Sequence, residues 1–531
     1  MMEKSSRSER NWVFMCAAAI MLLTTLPYIF GLFLTPKGYH FLGLTHNIDD
    51  GAVYLSWMRQ AADGHFFIRN LFTNDPQSAK AFNILFLVMG NFARVTHLPL
   101  IIVFHLFRIV FGFGLILAIW KFSKLFLYES KQRIVLMVLV GFSSGIGWLV
   151  SPGQLPRSVD LWQPEAITFL SIYLNPLFLF SQILMLGTFY YLILTERNGR
   201  VRDAVTAGAY LLILGNVHTY DILTIACIWV AYVVSHAIVM KKFPTRTIAL
   251  SILAALIAIP STGYQFYLYS VDAVYRARAN SGAPSPEFWF LLSGYGLILA
   301  GAIAGVVLWS AGGRCRGRLS FFFPTVWALV GFLVPFIPIA QQRKLVMGLH
   351  IPLCILCAYA VGRLLSSKAA SKYKYILIVL ILLTVISNVR FVATDVNMLL
   401  DGITVPGYQT YMSKQEWGAM HFLERRAKWN DSVLAPPTFA LFTPAFTGVQ
   451  VCYGHWSETP DYAHKVRFFH LMENNLIPLN ICEQFIQESK ADYVVMIDNK
   501  HSYKLEKIGL RPVYRRGQVI VFRVNNGAYD E

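Results

Sequence analysis

Charge is what this 531-residue chain has least of. Asp, Glu, Lys and Arg make up 14% of it while 56% is hydrophobic, against roughly 25% charged residues in soluble proteins. Such a chain cannot clothe its surface for water, which excludes a set of soluble domains and points to the bilayer. Familiar signatures are missing as well: there is no phosphate-binding glycine loop, dinucleotide fingerprint, HExxH or nucleophile elbow. The 13 histidines show no zinc-ligand spacing with cysteine, and neither an internal repeat nor a low-complexity tract is visible. Seven cysteines do not make a disulfide scaffold. Cys354 and Cys357 sit in an apolar run and read as packing. Cys452 and Cys482 lie in the polar C-terminal part and could pair in an oxidising compartment.

Positive charge, by contrast, is in surplus, with a formal net charge of +17. Its placement decides what that means. The basic residues stand in short clusters between apolar runs and form no continuous face, which is a membrane pattern and not a nucleic-acid footprint. The first apolar run, 11–34, is longer than the roughly 7–15 residues of a signal sequence core and has no small-residue cleavage site, so it reads as a retained span. With about 20 apolar residues needed per crossing, spans are expected near 12–34, 99–120, 134–150, 176–194, 204–216, 219–240, 247–268, 288–310, 319–340, 345–365 and 375–394. The segment 204–216 is the shortest of these eleven.

Lys/Arg bias orients the set. With the N-terminus inside, the inner segments carry twenty basic residues: Lys4, Arg7, Arg10, Lys121, Lys124, Lys131, Arg133, Arg197, Arg200, Arg202, Lys241, Lys242, Arg246, Arg314, Arg316, Arg318, Arg363, Lys368, Lys372 and Lys374. The short outer loops carry five, namely Arg157, Arg276, Arg278, Arg343 and Lys344. Omitting 204–216 would invert everything after it and spoil the asymmetry. The expected domains are therefore a membrane domain over 1–394, with a large first outer loop at 35–98, and an outer α/β domain over 395–531. In that tail Ser413-Lys414-Gln415-Glu416 is a capping box opening a helix to about Ala427. Strands are expected at 433–435, 449–453, 493–497 and 519–524, with helices near 461–474 and 481–490 and a turn at Arg515-Arg516-Gly517.

Acids are the informative minority. Between the second span and the tail there are nine, and six of them (Asp160, Glu165, Asp221, Asp272, Glu287 and Asp395) fall on the outer side. The strongest site is Asn47-Ile48-Asp49-Asp50, ahead of a helix over 52–62. One Asp could cap that helix, but tandem carboxylates repel unless a cation or donor lies between them. Asp160 and Glu165 follow in Asp160-Leu161-Trp162-Gln163-Pro164-Glu165, where Pro164 suits a helix start and an acid suits its first turn. His218 and Asp221, in Asn216-Val217-His218-Thr219-Tyr220-Asp221, would share a helix face at a depth where polar groups are costly and usually face a cavity. Arg343 and Lys344 run against the positive-inside trend, and guanidinium groups suit phosphate. Arg108, one turn after His105 within the second span, is expected to pair inside the bundle. In the tail, His455 and Glu458 lie in Gly454-His455-Trp456-Ser457-Glu458-Thr459-Pro460-Asp461-Tyr462, a strand-to-helix loop of the kind that carries sites; Ser457 or Thr459 could instead cap the helix.

Tandem acids after the first span, a second acidic outer loop, about eleven spans and an outer α/β tail together resemble the GT-C superfamily, membrane glycosyltransferases that use polyprenyl-phosphate sugars, with protein-mannosyltransferase-like and ArnT-like enzymes among them. In residue detail the resemblance rests on Asp49-Asp50, on Asp160 and Glu165, and on Gln342-Arg343-Lys344 leading into Gly348-Leu349-His350-Ile351-Pro352. The stretch 449–462 is similar to that of bacterial members. The resemblance implies a multi-pass protein of the bacterial inner membrane, with catalysis at the outer face and inversion at the anomeric carbon. Asp49, Asp50 and Glu165 would be catalytic. Asp160, His218, Asp221, Arg343, Lys344, His455 and Glu458 would bind substrate. The donor would be a polyprenyl-phosphate sugar and the acceptor a lipid, glycan or protein. A divalent metal, Mg or Mn, could sit on Asp49 and Asp50. A transporter or lipid-carrier flippase is the alternative; it should show related halves with helices broken near the midplane, whereas the polar residues here lie at one face. A reporter fused after Glu531 should read as non-cytoplasmic, and a cytoplasmic readout would overturn the orientation.

Overall fold

The computed structural model describes residues 6–401 and 410–524, apart from 79, 152, 154–156, 312–321, 368–369 and 498–502. Lys4, Arg314, Arg316, Arg318 and Lys368, and the first residues of the segment expected at 319–340, lie outside the described residues. Among the described residues eight helices are long and apolar enough to cross a membrane: Arg7–Phe33, Leu100–Ser123, Ser130–Val150, Pro176–Asn198, Tyr220–Met240, Thr245–Val271, Gln342–Leu365 and Lys372–Leu400. The other three expected spans are helices too, Val201–Val217, Gly296–Ala311 and Phe322–Phe336, but shorter. The chain is a helical multi-pass membrane protein with a C-terminal sheet domain.

The chain forms two compact units. The first comprises Met1–Pro27, His105–Gln265 and Gly282–Asp395; the second comprises Tyr28–Phe104, Phe266–Ser281 and Val396–Glu531. The first outer loop therefore packs in the same unit as the tail.

In the first unit, Gln342–Leu365 is the inner helix: 94% of its most apolar stretch is buried by protein. Small residues permit this. A Cβ on Gly305 would collide with the Leu356 carbonyl oxygen, and one on Gly301 with Cys357 Sγ. Gly301-Ala302-Ile303-Ala304-Gly305 is thus a small-residue surface that lets two backbones approach. Cys354 and Cys357 are buried free thiols, and Cys357 supplies part of that contact. Nearby, Trp327 packs against Phe122, Phe189 and Phe323 at ring-centroid distances of 6.0, 4.8 and 6.0 Å, within the range that favours aromatic pairs. Arg108, fully buried, donates to the Ile172 carbonyl oxygen at 3.1 Å and to Thr25 Oγ1 at 2.9 Å, so its charge is absorbed by acceptors inside the bundle.

The second unit holds both sheets. The strands β1 (Tyr39–Phe41) and β2 (Tyr411–Ser413) pair antiparallel, which ties the first loop to the start of the tail. The capping box then opens helix Lys414–Arg426: Glu416 N donates to Ser413 Oγ at 3.2 Å, and Ser413 N to Glu416 Oε2 at 2.9 Å. The larger sheet has β3 (Ser432–Leu434), β4 (Gln450–Val451), β5 (Tyr493–Met496), β6 (Arg511–Arg516) and β7 (Val519–Arg523) in the order β4-β3-β5-β7-β6, the first three parallel and the last two antiparallel to their neighbours. The residues expected to form a turn, Arg515 and Arg516, are instead paired in β6. The turn is Gly517-Gln518, with Gly517 at φ +58°, the conformation a two-residue hairpin requires. The charge of β6 protects an edge from pairing with another chain. Cys452 and Cys482, which the sequence left free to pair or not, are both unpaired and buried; burial pushes the Cys452 thiol up to about 12, so it is an unreactive core group.

Gly305→Val should lower the thermal unfolding temperature in detergent, at a cost of about 1–3 kcal/mol for an overpacked interior. Gly263→Ala, whose Cβ would meet only ordinary van der Waals contact, should leave the transition unchanged or slightly higher. Equal behaviour of the two would refute the close helix contact.

Candidate active site

The second unit gathers Asp49, Asp50, His455 and Trp456. Helix Ile48–Ala62 starts after Asn47, which takes the left-handed conformation (φ +52°) and makes no side-chain cap. Asn tolerates that region better than most residues. Neither Asp is the cap: both stand in the first helical turn, where the helix dipole favours negative charge and a shared face is impossible for adjacent residues.

What faces them is the loop after β4. Trp456 Nε1 donates to Asp49 Oδ2 at 3.0 Å. His455 Nε2 lies 3.8 Å from Asp49 Oδ2 and 3.7 Å from Asp50 Oδ1. Those distances allow Coulombic attraction but exceed a direct hydrogen bond. The imidazole is fully buried and its Nε2 has no hydrogen-bond partner. Its other nitrogen, Nδ1, accepts from Ser457 N at 3.1 Å, an arrangement that assigns the ring proton of the neutral form to Nε2, toward the acids. Burial first, and the Asp50 charge second, raise the Asp49 carboxyl above the ordinary carboxylate range; His455 and the Trp456 hydrogen bond oppose the rise. Burial and then the Asp49 charge also raise the nearby Tyr462 phenol.

Thr459 holds this loop. It is not a helix cap, since helix Tyr462–Glu473 is preceded by Asp461 in the left-handed conformation. Its hydroxyl instead accepts from Gly454 N at 3.1 Å and His455 N at 3.3 Å, and donates to the Phe72 carbonyl oxygen at 2.6 Å. Glu458 is engaged too. Its carboxylate pairs with Arg278 Nε at 2.7 Å, and the Arg278 guanidinium lies 4.8 Å from the centroid of Trp57, on the helix that bears the two Asp. As a metal site the cluster fits poorly. Among the described residues no group of three His, Cys, Asp or Glu side chains is gathered to hold an ion, and an N–H donor occupies Asp49 Oδ2.

The remaining sequence candidates belong to the first unit. Asp160 is buried in a short 3-10 turn, where Oδ2 accepts from Gly145 N and Gly147 N at 3.1 Å each and Oδ1 accepts from Ser158 Oγ at 2.6 Å. A Cβ on Gly147 would collide with that carboxylate. The geometry gives Asp160 the work of holding the loop. Burial raises its carboxyl, against the pull of these bonds. Glu165 is buried in a turn ahead of helix Thr168–Leu174, not in a helical first turn. His218 and Asp221 meet at 3.0 Å, Nδ1 to Oδ1, although they straddle the junction of helices Val201–Val217 and Tyr220–Met240. Arg343 lies over Trp162 at 5.5 Å and Lys344 over Tyr220 at 4.9 Å. Gln163 Nε2 donates to the Arg343 carbonyl oxygen at 2.9 Å and Thr224 Oγ1 to that of Leu345 at 3.1 Å, so the basic turn is seated on both polar segments. The aromatic seats Trp162 and Tyr220 escaped the sequence reading; each lies within two residues of a named acid.

Because folding lifts the Asp49 carboxyl, the native state binds that proton more tightly than the unfolded chain does. Its ionisation costs stability as pH rises through the folded value. Asp49→Asn should therefore raise stability at neutral pH, by about 1 kcal/mol, and the gain should shrink as pH is lowered toward about 4. Thermal unfolding across pH tests this; a gain that persists unchanged in acid would contradict the raised carboxyl.

No family model and no curated protein matches the chain. Solved structures do. ArnT from Cupriavidus metallidurans, bound to undecaprenyl phosphate, aligns over 98% of this chain and 99% of its own, at 12% identity and a TM-score of 0.56. Archaeal oligosaccharyltransferase AglB from Archaeoglobus fulgidus, in complex with an inhibitory peptide and a dolichol-phosphate, aligns over 94% of this chain and 70% of its own, at 10% identity and 0.55. Arabinofuranosyltransferase AftD from Mycobacteria aligns over 97% of this chain and 41% of its own, at 14% identity and 0.54. Identities this low speak for architecture alone, and the architecture is clear: this chain shares the fold of ArnT, AglB and AftD.

Proposed function

We propose that the chain transfers a sugar from a polyprenyl-phosphate donor to an acceptor hydroxyl at the outer face of a bacterial inner membrane, with inversion. The observation that carries this reading is the buried His455 nitrogen facing two carboxylates, one of them raised above the ordinary range. A carboxylate so raised is a better base at neutral pH than a solvated one. In the step proposed, Asp49 takes the acceptor hydroxyl proton as the acceptor oxygen bonds to the anomeric carbon. The bond from that carbon to the phosphate oxygen breaks on the opposite side, and its electron pair leaves with the lipid phosphate. Asp50 sustains the basicity of Asp49 through repulsion, a repulsion that vanishes once Asp49 is protonated. Trp456 holds the carboxylate in one orientation.

A phosphate calls for cations. In the first unit Arg343 and Lys344, each braced on an aromatic ring, are assigned to substrate binding. Glu165 and the His218–Asp221 pair are assigned to substrate contact there, and Glu458 to holding Arg278. The twenty-to-five Lys/Arg asymmetry supports a cytoplasmic N-terminus and an external C-terminal domain. The acceptor is a lipid, glycan or protein. A divalent metal enters no step.

Asp49→Asn and Asp50→Asn should each reduce transfer from polyprenyl-phosphate sugars, with the Asp49 variant losing about 10²- to 10⁴-fold while expression stays normal. The measurement is release of polyprenyl phosphate by purified protein against a panel of donors and membrane-extract acceptors. Wild-type rates in both variants would sink the assignment.

A further inference from the structure

A cavity of about 770 Å³ opens in the second unit near the other end of the helix that carries the acid pair. Arg59 and Asp63 line it; nine residues separate Asp50 from Arg59, which is about 14 Å along a helix. Its walls are apolar, from Leu55, Ala93, Leu98, Ile101, Met420 and Phe446. Its two acids are both engaged by partners. Arg59 Nε holds Asp63 at 2.9 Å, its Nη1 holds Glu424 at 2.9 Å, and His421 Nδ1 lies 3.1 Å from Glu424. Two further basic residues line the cavity, Arg94 and His97, and among the described residues neither meets an acid. The cavity thus combines an apolar slot with a guanidinium, Arg94, that no acid among the described residues engages.

Its position says what could fill it. Leu100 and Ile101, in the wall, begin the membrane-spanning helix Leu100–Ser123. Arg94 ends helix Ile84–Thr96, whose Val88, Phe92 and Val95 are 49%, 37% and 78% exposed. Their spacing puts them on one helical face, and beyond the end of that helix Leu98 and Ile102 are exposed as well. An apolar stripe leading into a span is the mark of a helix lying in the membrane interface. The cavity therefore opens where lipid is.

We infer that this cavity binds an anionic phospholipid of the bilayer, with an acyl chain in the slot and the phosphate at Arg94 and His97. The inference is independent of the sugar-transfer reading. The test uses the full chain in nanodiscs of phosphatidylcholine with and without phosphatidylglycerol, followed by native mass spectrometry and lipid titration. Wild-type protein should retain one phosphatidylglycerol, and Arg94→Ser should weaken that binding about tenfold, as loss of a charge-assisted contact does. Arg94→Lys should restore most of it, and His97→Gln should weaken it less. Equal retention of phosphatidylcholine, retention unchanged in Arg94→Ser, or full displacement by glycerol phosphate, which lacks the acyl chains, would each overturn the inference.

Discussion

One hydroxyl holds the candidate site together. Thr459 Oγ1 accepts two backbone N–H groups of its own loop and donates to the carbonyl of Phe72, so a single side chain joins the tail to the first loop. His455, Trp456 and Glu458 all lie within that span. The relation of each to the helix of Asp49 and Asp50 depends on it. Asn70 adds a second tie, donating to the Glu458 carbonyl oxygen at 2.7 Å. With the loop pinned at both sides, the imidazole cannot withdraw from the carboxylates without breaking buried bonds, and unmade buried bonds are costly.

The fold was legible where a pattern repeats. Length and apolarity marked the eight long apolar helices, because each crossing needs about 20 such residues, and the capping box marked where Lys414–Arg426 begins. Contacts made by backbone alone left no such mark. The pairing of β1 with β2 joins residues some 370 positions apart through three-residue strands, too short for alternation to show. Strand β6 was hidden by its charge, since an edge strand may carry arginine where an inner one may not. Helix Ile84–Thr96 was not singled out within the first outer loop.

The site was legible in chemistry and illegible in partnership. Tandem acids at Asp49-Asp50 and the dense loop at 454–462 each drew notice separately, since unlike functional groups rarely crowd without cause. Nothing local says that the two meet, because 400 residues intervene. Asp160 shows the same limit: beside Ser158, the donors on its carboxylate are backbone N–H groups of Gly145 and Gly147. A backbone donor has no signature in the sequence.

The inner helix Gln342–Leu365 touches almost no lipid, yet it is as apolar as helices that do. Its final surroundings do not demand that, for protein neighbours can satisfy polar groups that hydrocarbon cannot. Biosynthesis does. A segment is partitioned into the bilayer on its own hydrophobicity, before the neighbours that will enclose it have arrived. The composition of this helix therefore reflects the moment of insertion, and its packing, down to the glycines that admit Leu356 and Cys357, reflects the assembled state.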